Sequence, residues 1–129
     1  MPMTPARWLR APATGIYIAS KTVHANKWKR LRAQGVEIVS TWIDEAGPGE
    51  TADFCDLWRR CVAEASNCRK LICYRETGET LKGAFIEVGA ALAREIPVYC
   101  VGDFEGMSFT NHPLVRAAES IEAAVRARV

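Results

Sequence analysis

The sequence predicts an α/β domain, a three-layer sandwich around a doubly wound, mostly parallel sheet of about five strands. Short runs rich in β-branched and aromatic residues alternate with longer helical stretches, as expected of β–α–β units. The runs "LICY" and "VYCV" are apolar at every position rather than at every second one, so both of their faces should be covered. A chain of 129 residues, 49% of them hydrophobic, can bury one sizeable core and is too short for two ordinary domains.

Residues 1–14 carry two arginines and three prolines with no long apolar run, and are expected to form a mobile leader before a domain spanning 15–129. Gly15–Ala19 is the first strand. The loop Ser20-Lys21-Thr22 leads to a helix through Trp28, Leu31 and Arg32, which should stop at Gly35. Val36–Ser40 is the second strand. Thr41–Glu50, with its Gly-Pro-Gly punctuation, is a loop into a helix over Thr51–Ser66. Lys70–Tyr74 is the third strand, Arg75–Thr80 a polar loop, and Ile96–Val101 the fourth strand, with Pro97 tolerable near its start. A short fifth strand is expected around Leu114–Ala117, and Ser120 can cap a last helix reaching about Arg128. Such a flavodoxin- or Rossmann-like sheet binds ligands beyond the carboxyl ends of its strands, which places the loops after Ala19, Ser40, Tyr74 and Val101 around one pocket.

Between the third and fourth strands lies "LKGAFIEVGAALA", residues 81–93. On a helical wheel Leu81, Phe85, Val88 and Leu92 form a bulky stripe expected to pack on the sheet, while Gly83, Ala84, Glu87, Ala90 and Ala91 lie to another side. Glu87 has no lysine or arginine three or four residues away, so an ordinary helical ion pair does not explain it. Gly89 in a helix interior costs about 1 kcal/mol relative to alanine, and with Gly83 it suggests that something approaches the backbone closely. Glu87 is thus either a solvated glutamate or a pocket carboxylate able to act as a nucleophile or general base.

Other candidates carry a plain reading beside the functional one. Ser20, Lys21 and Thr22 can offer a phosphate site at a helix N-terminus, but no GxGxxG or GxxxxGK[ST] is present, and Ser20 or Thr22 can equally cap the helix. Tyr17 is either a site hydroxyl or core. Trp42 can stack a base or sugar, or cover the core; Asp44 and Glu45 can bind hydroxyls or solvate their loop, as can Glu76 and Glu79 with Arg75. His24 and His112 are isolated, with no cysteine or carboxylate at ligand spacing, so a metal site is not expected. The five cysteines match no zinc pattern, their odd number argues against a closed disulfide framework, and Cys73 and Cys100 read as small core residues; a reducing cytoplasm fits. A net charge of +2 without a basic stripe disfavours nucleic acid as a partner, and no segment is apolar enough for a membrane span.

The stretches "GIYIAS", "DLWRRCVAEASNCRKLICY" and above all "LKGAFIEVGAALAREIPVYCVG" make the chain resemble the nucleoside 2-deoxyribosyltransferase family, including its deoxynucleoside monophosphate hydrolases, over roughly Gly15 to Gly102. The resemblance implies a nucleoside or nucleotide ligand, no cofactor, and a homo-oligomer. It makes Glu87 the nucleophile that attacks the anomeric carbon to form a covalent glycosyl-enzyme intermediate, and Tyr17 the residue orienting it. In the hydrolases a serine and arginines in the first loop hold the phosphate; Ser20 matches the serine, leaving Lys21 to supply charge. The chain departs from the family where Cys61, Arg69 and Leu81 stand in place of aspartates. An acid assisting the base would then come from Asp56, Glu76 or Glu79, or the fold would serve as a nucleotide-binding or sensing module without catalysis.

Overall fold

The computed structural model describes residues 14–128; the expected leader lies, apart from Thr14, outside the described residues. The described chain is an α/β unit with one all-parallel sheet of four strands in sequential order: β1 (Ile16–Ala19), β2 (Lys70–Arg75), β3 (Val98–Gly102) and β4 (Val115–Ala118). Tyr17 stands opposite Leu71, which stands opposite Val98, which stands opposite Val115. The helices are α1 (Ala25–Ala33), α2 (Phe54–Ala65), α3 (Gly83–Ala93) and α4 (Ile121–Arg126), with 3-10 turns at Thr22–His24, Thr41–Glu45 and Ser108–Asn111.

The expected second strand is reduced to a single parallel bridge, Ile38 to Ile16, at the outer edge of β1. Backbone bonds run from Ile16 N–H to Glu37 O and from Val39 N–H to Ile16 O, both 2.9 Å. The ladder then stops because side chains take its next partners. Ser40 Oγ accepts from Ile18 N–H at 3.1 Å, and the Trp42 indole donates to Ile18 O at 2.8 Å. With both backbone groups of Ile18 satisfied on that edge, there is nothing for a continuing strand to bond.

Two caps behave as their residues dictate. Asp53 accepts from Asp56 N–H to start α2, and Ser120 accepts from Ala123 N–H to start α4, so α2 begins three residues later than the expected Thr51. Neither Ser20 nor Thr22 caps α1: the preceding positions make no side-chain cap bond, and Ser20 Oγ instead receives the Trp28 indole N–H at 2.9 Å. Gly35 follows α1 with φ +105°, the left-handed turn expected there.

The stripe expected to face the sheet from α3 is only half right. Leu81, just before the helix, and Val88 are buried, but Phe85 and Leu92 are only partly covered, while Ala84, Glu87 and Ala91 are buried. Small side chains let this helix lie close over β1, β2 and β3 and against α2, so the narrow face goes inward and Phe85 moves aside to meet Phe109 edge-on at 5.5 Å. Cys61, Cys68, Cys73 and Cys100 are buried free thiols, and Cys55 is exposed.

Candidate functional site

A cavity of about 800 Å³ opens beyond the carboxyl end of the sheet, within the size range of small-molecule sites. Three loops build it: Ser20–Thr22 after β1, residues 42–51 after the bridge segment, and Thr80–Ala84 entering α3, with Phe54, Leu57, Trp58 and Cys61 of α2 as a wall. The loop after β3, expected to join them, is not part of the lining.

Glu87 forms the inner end. Its side chain projects from the second turn of α3 towards β1 and α2, and it is only 6% exposed. Burial pushes its pKa up from 4.5 to about 7, against the opposing effect of Tyr17 and Cys61 beside it. The carboxyl group therefore exchanges its proton near neutrality, the range in which a group can serve as base or nucleophile. Tyr17 is fully buried on β1, behind the cavity surface, with its hydroxyl turned to Glu87 and Cys61. That oxygen makes no hydrogen bond of good geometry, and its own pKa is raised by burial first and by the Glu87 charge second. Cys61 is buried, and its thiol is pushed up to about 11, mainly by desolvation. It is a protonated thiol at neutral pH, able to donate weakly but not to carry charge.

Of the other sequence-derived candidates, Ser20, Lys21, Trp42 and Gly83 line the cavity with Glu87. Trp42 is pinned by its bond to Ile18 O, so it forms a fixed wall. Gly83 faces Trp58: a Cβ there would stand 2.8 Å from the far end of the indole, so the close approach inferred for this glycine exists. Gly89 is exposed, with no atom of the described residues within 4 Å of where a Cβ would be, so the close approach inferred there is not made by them.

Asp44 and Glu79 lie outside the lining. Asp44 is held by both terminal nitrogens of Arg32, at 2.8 and 3.1 Å, which keeps its carboxyl below the usual range. Glu79 pairs with His24 at 2.7 Å. The alternative acids fare alike, since Asp56 pairs with Arg60 at 2.9 Å and Glu76 accepts from the Tyr74 hydroxyl at 2.6 Å. The second carboxylate of the lining is Glu45, bonded to Arg60 at 2.6 Å. Its position beside Trp42 in the sequence was the available signal, but which of Asp44 and Glu45 turns inward depends on the 3-10 turn that carries them.

Searches against protein-family models and against curated proteins return no match for this chain.

Proposed function

We propose that the protein binds a nucleoside or nucleotide in this cavity and cleaves or exchanges its N-glycosidic bond through Glu87. One observation carries the reading: a buried carboxyl group that titrates near neutrality stands at the inner end of an open cavity, beside a tyrosine hydroxyl with no hydrogen-bond partner among the described residues. In the ionised form Glu87 would attack the anomeric carbon as the carbon–nitrogen bond to the base breaks, giving a glycosyl ester; water or a second base would then release the sugar. Tyr17 would fix the orientation of the carboxylate by donating its hydroxyl proton. Trp42 and Trp58 supply flat apolar surface for a base, and Lys21 and Lys82 on the rim supply positive charge for a 5′-phosphate. The test is incubation with deoxynucleosides and their monophosphates, with free base measured by chromatography; release that survives Glu87→Ala unchanged would sink the nucleophile assignment.

A second reading, a nucleotide-binding or sensing module without turnover, is favoured by Cys61. A neutral thiol stands where the resembled family has a carboxylate, next to the candidate nucleophile. Under this reading a nucleotide raises the melting temperature while no base is released. We also place the protein in the cytoplasm, as a homo-oligomer, and take Val36–Ser40, tied to β1 by its one bridge, as the fifth, edge strand of a doubly wound three-layer sandwich.

A further inference from the structure

His24 ends the 3-10 turn after β1, and Glu76 and Glu79 flank the tight turn after β2. Spacing along the chain gives His24 no carboxylate, but the fold gives it two. The β2 turn closes with a bond from Glu79 N–H to Glu76 O at 3.0 Å, and Gly78 takes φ +88°, a conformation that favours glycine. The result brings one ligand atom of each residue, an imidazole nitrogen and two carboxylate oxygens, within 4.8 Å of one another. The His24 and Glu79 side chains are only 11% and 15% exposed, whereas Glu76 is exposed, its carboxylate held among the described residues by the Tyr74 hydroxyl alone.

We propose that His24, Glu76 and Glu79 form a binding site for a divalent cation of the Zn²⁺ class, separate from the Glu87 cavity. A neutral imidazole with two carboxylates matches both the charge and the ligand preference of such an ion. Bonds of about 2.1 Å in a tetrahedral arrangement put ligand atoms about 3.4 Å apart. The His24 Nε2 to Glu79 Oε2 contact, 2.7 Å, has to open by under about 1 Å, and Glu76 has to swing inward. Binding through Nε2 leaves the ring proton on Nδ1.

The surrounding contacts suit this arrangement. Glu79 Oε1 accepts from Glu76 N–H at 2.9 Å, which leaves Oε2 for the ion. Glu76 Oε2 accepts from the Tyr74 hydroxyl, which leaves its other oxygen. Tyr74 packs edge-on to the His24 ring at 5.1 Å, and Arg75 Nε donates to the Glu79 carbonyl at 2.8 Å, so ring and turn are both braced from outside. Of the nearby cations, Arg75 is held by the carbonyls of Glu79 and Asp103; the others are Lys21, whose Nζ reaches Thr80 O at 3.5 Å, and Lys27, over the Tyr74 ring. Lys21 is exposed, and the flexible stems of both can carry their charge away. A bound ion would tie the loop after β1 to the loop after β2, next to Ser20–Thr22 and Thr80 on the cavity wall.

The test is isothermal titration calorimetry of the full chain with ZnCl₂, with Co²⁺ absorption as a second readout. One Zn²⁺ per chain is expected, weakened at least tenfold by Glu76→Gln and by His24→Gln and retained by Cys55→Ser. Glu76 is exposed, so its variant should melt as the parent does and keep the result readable if His24→Gln fails to fold. The proposal is overturned by absent binding, by binding that Glu76→Gln leaves unchanged, or by an intense Co²⁺–thiolate charge-transfer band with loss in Cys55→Ser.

Discussion

The Tyr17 hydroxyl faces the Glu87 carboxyl group in the protein interior and has no hydrogen-bond partner there, the one such buried side-chain polar atom among the described residues. An unpaired buried hydroxyl is a cost that folding alone does not reward. Tyr17→Phe should therefore leave stability unchanged or raise it by about 1 kcal/mol in urea unfolding. If Tyr17 orients the nucleophile, the same variant loses at least tenfold in kcat/KM for base release. A loss of stability with activity intact would contradict both halves.

Glu87 ties stability to pH. Its folded-state pKa of about 7 lies above the usual 4.5, so between these values the folded chain holds a proton that the unfolded chain has lost. The contribution is fully present below about pH 4.5, falls as pH rises, and is gone above about 7, a total of about 3 kcal/mol at most. Glu87→Gln should remove this dependence and be the more stable protein at pH 8. Urea unfolding at a series of pH values checks it.

The reaction, if Glu87 is the nucleophile, needs the ionised form. Base release by the parent protein should rise with pH through about 7 and then level off. Asp44→Ala, which removes a carboxylate bound to Arg32 outside the cavity, should leave that profile where it is. A profile that moves with Asp44 would mean that the wrong carboxylate had been placed at the site.

The two glycines of α3 should respond in opposite ways. Gly89→Ala adds a methyl group to open space in a helix and should stabilise by about 1 kcal/mol without touching ligand binding. Gly83→Ala pushes on the Trp58 indole and should alter tryptophan fluorescence and weaken binding in the cavity. Thermal melts and ligand titrations of the two variants separate these outcomes.

Lys70 is fully buried, and its ammonium group donates to the carbonyls of Ala124, Val125 and Ala127 at 2.7 to 2.8 Å. It thereby caps the end of α4 and lies over the Tyr99 ring. Lys70→Met keeps the bulk but strands these carbonyls, and should cost about 2 to 4 kcal/mol with faster hydrogen exchange at the end of α4.

Much of the architecture could be read along the chain. Apolar runs marked β1, β2 and β3, and Ser120 and Gly35 sit at the expected element ends for reasons local to a few residues. The missing length of the second strand was not legible, because the groups that end its ladder are side chains of Ser40 and Trp42 acting on Ile18 some twenty residues away. The inward face of α3 departs from the helical wheel for a similar reason. A wheel ranks bulk, whereas the distance between helix and sheet decides whether bulk or small residues fit.

Glu87 stood out in the sequence as a helical carboxylate without a cation, and short-range periodicity was enough to place it on a helix; its position in a cavity at the carboxyl edge of the sheet came from the tertiary structure. Its proton affinity depends on burial by β1 and α2, elements distant in sequence, and so does its position beside Tyr17 and Cys61. Glu45 turning inward while Asp44 turns out, and His24 meeting Glu76 and Glu79, belong to the same class. Local propensity reaches a few residues along the chain, but electrostatic environment is set by whatever the fold packs within a few ångströms.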